Sequence, residues 1–170
     1  MNEADLIRDA FGRISEEVHT TLSDLPDAAL TYRIDPGANT IAWLIWHLTR
    51  VQDDHIAGVA NTEQVWTTQD WHDRFALPFE AREIGYGQSS DDVEKVRATS
   101  DLLLGYHDAV HEKTTAFVET LSSDDLDTVV DRNWNPPVTL GVRLVSVIAD
   151  DLQHVGQAAF IAGVFGRTAT

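Results

Sequence analysis

Four stretches of the chain repeat apolar residues at helical spacing. The first carries Leu6, Ala10, Ile14, Val18 and Leu22 at every fourth position and stops before the turn-forming "SDLPD" at 23–27. The second opens at "GANT" (37–40), where Asn39 or Thr40 can cap it, and carries Ile41, Leu44, Ile45, Leu48 and Val51 to about residue 60. The third runs from "SSDDVEKV" (89–96) to Leu121, with Ser89 or Ser90 as cap, acidic residues in its first turn, and Leu103, Tyr106, Val110, Phe117 and Leu121 on its buried face. The fourth follows "NPPV" (135–138) and carries Leu140, Leu144, Val147, Ile148, Leu152, Val155 and Ala159 to about residue 164. A strand signal at 127–134 is short and lacks a partner hairpin. The pattern predicts an all-α domain of four long helices spanning residues 1–170.

The connection from 61 to 88 is long for a helical bundle. Trp66, Trp71, Phe75, Phe79 and Tyr86 make it too aromatic for a free linker. It is expected to pack over one end of the bundle, with a short helix near 68–76, and packed loops of this kind line sites.

Composition narrows the function classes. Hydrophobic residues make up 43% and charged residues 24% of the 170, as in an ordinary soluble globule. The formal charge is −16, from 28 acidic against 12 basic residues, which repels nucleic acids and anionic membrane surfaces. No apolar run approaches the roughly 20 residues that span a bilayer. The opening "MNEADLIRDA" lacks the basic and apolar regions of a secretory signal. With no cysteine in the chain, a cytoplasmic location is expected, and disulfides, thiolate ligands and a cysteine nucleophile are excluded.

Three polar residues sit where apolar ones would pack more cheaply. His47, in "WLIWHLTRVQDDH", lies within roughly 60° of Leu44 and Val51 on a helical wheel. Asp150 and His154, in "VIADDLQHVGQ", stand one turn apart beside Val147 and Ile161. A buried imidazole or carboxylate must find partners. Either each is a hydrogen-bonded core residue, or the three share a divalent cation. Two nitrogens and a carboxylate suit zinc, nickel, iron or manganese and leave a coordination position open, as reactive sites do. Asp54, two turns from His47, and Gln157, one turn from His154, are candidates to orient a ligand or substrate. Arg50 and Arg143 flank the trio and either pair with carboxylates or meet an anionic group. His107 and His111 read as solvent-edge histidines, with ligation alongside His55 or Asp54 the other reading. His19 and His72 read as surface residues. No phosphate loop, dinucleotide fingerprint or serine-nucleophile elbow is present.

Taken together, "NTIAWLIWHLTRVQDDH" (39–55), "NPPVTLGVRLVSVIADDLQHVGQAAFIAGV" (135–164) and the four-helix pattern resemble the DinB-like metalloprotein superfamily, damage-inducible helical-bundle proteins. The resemblance extends from about residue 5 to 165 and is closest to an actinobacterial branch related to mycothiol-dependent maleylpyruvate isomerase. It implies an up-down-down-up bundle and a divalent metal, zinc or nickel, on the positions of His47, Asp150 and His154. Many relatives have histidine where this chain has Asp150, so the trio here is a carboxylate variant. The resemblance further implies a homodimer and a small-molecule substrate. The implied activity is S-transfer from mycothiol or another low-molecular-weight thiol to a small electrophile through a metal-bound thiolate. Metal-dependent hydrolysis and a non-catalytic stress-response bundle are the alternatives.

Overall fold

A computed structural model describes residues 2–168. Four long helices form the frame: α1 (Glu3–Leu22), α3 (Ile41–Ala60), α7 (Ser100–Glu119) and α8 (Leu140–Thr168). Short helices α2 (Asp27–Leu30), α4 (Val65–Thr68), α5 (Trp71–Phe75) and α6 (Ser90–Lys95) lie in the connections. Around the bundle, α1 packs against α7 and α8, and α3 packs against the same two. Cross-contacts fix the directions. Arg8 meets Glu119 while His19 meets Asp108, so α1 and α7 are antiparallel. Thr49 meets His107 while Gln52 meets Thr114, so α3 and α7 run parallel. The bundle is therefore all-α and up-down-down-up.

Helix ends follow side-chain capping. Asn2 and Asp5 form a capping box at α1. Thr40, rather than Asn39, accepts the Trp43 amide to start α3, and left-handed Asn61 ends it. The third predicted helix is two. Ser89 caps α6, the chain extends at Val96, whose side chain is buried, and Thr99 accepts the Leu102 amide to start α7. A cap three residues before Leu102 competes successfully with continued periodicity. The short helix expected near 68–76 is likewise split into α4 and α5 at left-handed Asp70. The weak strand signal does find a partner: β1 (Val129–Asp131) pairs antiparallel with β2 (Val138–Thr139), and a 3₁₀ turn (Ser123–Asp127) precedes it.

Two core assignments change. Leu6 is exposed and Phe11 is buried, because a strict four-residue spacing drifts about 40° per step around a 3.6-residue helix. On α8, Leu152 is 45% exposed and Asp151 is fully buried, in line with Leu144 and Ala158.

Arg50 is the most heavily bonded side chain in the interior and has no solvent exposure. Its guanidinium donates to the Gln64 amide oxygen (2.8 Å), the Tyr106 hydroxyl (3.2 Å), and the Ala81 (3.1 Å) and Glu83 (3.2 Å) carbonyls. It also lies 4.8 Å above the Trp66 ring and 3.7 Å from Asp53. Asp53 in turn accepts the Val65 and Trp66 amides and the Tyr106 hydroxyl. Burial pushes the Asp53 carboxyl up, and these donors together with Arg50 oppose the shift. The long connection is thus fastened to α3 by one buried cation and one buried carboxylate. Asp53→Ala removes the partner of a buried charge and is expected to lower unfolding free energy by about 3–5 kcal/mol in denaturant titrations; a loss below ~1 kcal/mol contradicts the fastening role.

The expected solvent-edge placement of His107 is corrected: it is fully buried, because α3 covers that edge of α7. His107 Nδ1 donates to Thr49 Oγ1 (3.3 Å), whose own proton goes to the Ile45 carbonyl. Burial first, then His111 beside it, lowers the His107 pKa to about 3, with Asp108 opposing and His19 adding to the shift. The neutral ring is stabilising above the unfolded value near 6.5, and that stabilisation declines as pH falls from 6.5 toward 3. His107→Gln is therefore expected to flatten the loss of melting temperature between pH 6.5 and 4.5, measured by calorimetry; unchanged slopes contradict the assignment.

Candidate metal centre

His47 leaves α3 toward α8, where Asp150 and His154 stand one turn apart on the facing side. Candidate ligand atoms of the three lie within 4.8 Å of one another, and among the described residues they are the one such group of three or more. His47 is 2% exposed, while the His154 and Asp150 side chains are 17% and 24% exposed. The site therefore has a buried back and an open mouth.

Each imidazole has one nitrogen already committed. His47 Nδ1 donates to the Ile84 carbonyl. His154 Nδ1 donates to the Asp150 carbonyl (2.7 Å) on its own helix. Both Nε2 atoms keep their lone pairs, the tautomer that metal-binding histidines use. Asp150 Oδ2 is shut off from solvent and has no hydrogen-bond partner, although His154 Nδ1 lies 3.5 Å away. Burial lowers the His47 pKa, opposed by its Ile84 bond, with His154 lowering it further and Asp150 opposing, which favours the uncharged ring. Two imidazoles, each with its Nδ1 already bonded, and an unpartnered carboxylate oxygen fit a divalent cation in donor type.

The remaining walls come from residues that periodicity did not single out. Trp43, one turn before His47, stacks on its ring at 4.5 Å and donates to Gln88 (2.7 Å). Tyr86 meets the other side edge-on at 5.3 Å. Burial, then the Asp150 and Asp151 carboxylates, raises the Tyr86 pKa. Gly85, at φ +104°, passes so close that a Cβ would collide with the His47 ring and lie 3.2 Å from Trp43. The available signals were the glycines of "IGYGQ" at 84–88 and the aromatic i, i+4 spacing of Trp43 and His47. Asp151, also unforeseen, is buried with both carboxylate oxygens unpartnered, and burial followed by Asp150 raises its pKa far above the usual range.

Other sequence candidates fall elsewhere. Asp54 accepts from Gln64 (2.7 Å) and borders a cavity of about 600 Å³ with His55, Asn133 and Arg143. Arg143 pairs with Asp131 (3.1 Å). Asp54 and Arg143 each lie seven residues from a member of the trio, so the cavity sits about 10 Å along the same α3–α8 groove. Gln157 is exposed and lines a different groove. Arg50 serves the loop. His111 is half-buried, and His19 is half-exposed against Asp108 (2.7 Å).

A helical bundle with a histidine on one helix and an Asp/His pair on the facing one defines a candidate metalloprotein. The DinB superfamily profile matches residues 10–158, and the chain belongs to that superfamily. A crystal structure of a conserved protein from Enterococcus faecalis is 30% identical, covering 95% of this chain and 96% of that one, with a TM-score of 0.88. Comparison with curated proteins returns no match. No described helix is long and apolar enough to cross a membrane.

Gly85→Ala forces the loop off His47. It is expected to shift the His47 imidazole resonances and lower the melting temperature by several degrees, and resonances that stay in place contradict the close approach.

Proposed function

We propose that His47, Asp150 and His154 hold a divalent cation, zinc or nickel, and that the protein transfers a low-molecular-weight thiol of the mycothiol type to a small electrophile. The observation that carries the metal assignment is the sealed, unpartnered Asp150 Oδ2 facing two imidazoles whose Nδ1 atoms are already bonded. Such an oxygen costs about 1–3 kcal/mol or more unless something positive meets it.

A divalent cation in this site supplies Lewis acidity that makes a thiol at an open position acidic enough to react at neutral pH. The chain's own residues do the rest. The Ile84 carbonyl holds the His47 proton on Nδ1 and keeps Nε2 directed away from the loop. Trp43 and Tyr86 cover the flanks of the His47 ring and limit water there. The chain has no cysteine, so the reacting sulfur must come from the cosubstrate. In the transfer, a carbon–sulfur bond forms, the electrophile's leaving group departs, and the thiol proton is released. The polar lining of the cavity beside Asp54, His55 and Arg143, about 600 Å³ and farther along the same groove, supports a hydroxylated thiol rather than an apolar one.

Elemental analysis of untagged protein is expected to give one zinc or nickel per chain, lost in Asp150→Ala/His154→Ala. With metal present, incubation with mycothiol and monobromobimane is expected to give conjugate at a rate that falls at least ~100-fold in that variant. Absence of stoichiometric metal overturns the assignment. A metal-loaded protein that hydrolyses esters but forms no conjugate replaces the transferase reading with a hydrolase.

A further inference from the structure

Two unlike compartments flank the metal centre along α8. Arg143 stands seven residues before Asp150 and Ile161 seven residues after His154, so both lie on the line that carries the ligands, about two turns to either side. The Arg143 side is the charged cavity already described, lined also by Asp54 and Asp131. The Ile161 side opens into a groove of about 650 Å³ between α8 and the segment that leads into α3. Ile34 and Ala38 form one wall; Leu152, Gly156, Phe160 and Ile161 form the other. The groove has the size of a small-molecule site, roughly 300–1,000 Å³.

Its lining sets the class of occupant. The chain carries −16, yet no ionisable side chain lines this groove. Ile34, Leu152 and Phe160 are 43%, 45% and 61% exposed, so apolar surface that the bundle does not use is gathered beside the ligands. The polar groups here are the amides of Asn39, Gln153 and Gln157, and the two glutamines flank His154, one residue before it and three after. Apolar walls with a few amides orient a ligand by shape and hydrogen bonds. They disfavour a charged ligand, because no counter-ion offsets its desolvation.

We propose that this groove receives the electrophile of the transfer, and that the electrophile is an uncharged, apolar small molecule. The assignment rests on the transferase reading and extends it. The charged cavity takes the hydroxylated thiol, the uncharged groove takes the carbon skeleton that accepts its sulfur, and His47, Asp150 and His154 stand between them. With a bromomethyl probe, the carbon–sulfur bond forms as the carbon–bromine bond breaks. Bromide leaves with the bonding pair, and the thiol proton passes to solvent.

Two bimanes with the same bromomethyl group test the specificity. Metal-loaded protein with mycothiol is expected to show a kcat/KM for uncharged monobromobimane at least ~10-fold above that for its cationic trimethylammonio derivative, each corrected for the uncatalysed rate. The comparison is stringent, because a chain of charge −16 attracts the cation. A Cβ at Gly156 meets nothing within 4 Å, so Gly156→Phe fills the groove without disturbing the bundle. It should lower kcat/KM for the uncharged bimane at least ~10-fold and remove the preference. Phe160→Glu should shift the preference toward the cation, whereas Val145→Glu, exposed on the same helix but outside the groove, should leave it unchanged. Binding without turnover gives a separate readout. The uncharged dye N-phenyl-1-naphthylamine should bind metal-free and metal-loaded protein, and bind Gly156→Phe at least ~10-fold more weakly. Equal rates for the two bimanes, or a preference that survives Gly156→Phe, overturn the proposal. If neither bimane reacts but the dye binds and Gly156→Phe expels it, the transferase reading falls and the groove's ligand class stands. A dye that does not bind, or binds both proteins alike, overturns the groove. Dye uptake only where two copies of the chain have separated gives the groove to a second copy, and overturns it as well.

Discussion

A guanidinium with no access to water organises this molecule. Arg50 sits three residues beyond His47 on α3, and two of its acceptors are the Ala81 and Glu83 carbonyls. The next carbonyl along the loop, Ile84, receives the His47 proton. One stretch of chain therefore satisfies a buried cation and orients a buried imidazole through neighbouring peptide groups. An isolated ion in a protein interior costs several kcal/mol after relaxation. Leaving Arg50 unsatisfied would be so unfavourable that the 61–88 connection has little freedom to move away. The loop is unusually long because it must reach back along α3, and its order follows from what it encloses.

The centre inherits its asymmetry from that arrangement. His47 is fixed by the loop from outside its helix, whereas His154 is fixed by the carbonyl one turn earlier in α8. Asp150 and Asp151 are sequence neighbours with different surroundings, because successive positions on a helix point about 100° apart. Asp150 faces the groove shared with α3; Asp151 faces the bundle interior, where burial raises its pKa well above the usual carboxylate range. The groove then continues two turns toward Asp54, His55 and Arg143, a polar cavity bounded by the β1–β2 hairpin. Tyr86 feels charges from both ends of it, being influenced by Asp150 and Asp151 as well as by Arg143 and Asp54.

Periodicity made the four-helix architecture legible, and the misplacement of polar residues made the trio legible, because His47, Asp150 and His154 each break an apolar pattern at helical spacing. The contacts that orient the trio were not legible. Ile84 contributes a backbone carbonyl, which leaves no trace in residue identity. Gly85 is one of ten glycines, and only its passage over His47 distinguishes it. The break at 96–99 escaped notice because Val96 and Leu103 fit one continuous stripe seven residues apart, while the deciding feature, a threonine cap, also occurs in unbroken helices. His107 was misplaced because a wheel places residues on one helix and says nothing of how far a neighbouring helix overhangs its edge.

Helix α8 shows why pattern alone could not separate core from surface. Its residues repeat nearly in sevens, so that Leu144, Asp151 and Ala158 form one line and Val145, Leu152 and Ala159 form a neighbouring one. By hydropathy Leu152 belongs inside and Asp151 outside, and the structure reverses both. The reversal is forced by geometry. Turning the helix by 100° to bury Leu152 would carry Asp150 and His154 out of the groove and break their convergence with His47. Keeping the three together commits α8 to one rotation about its axis. At that rotation a carboxylic acid faces the interior and a row of apolar side chains faces outward. The buried acid and the exposed stripe are thus two consequences of one constraint, the orientation of α8 that brings its Asp/His pair to the histidine of α3.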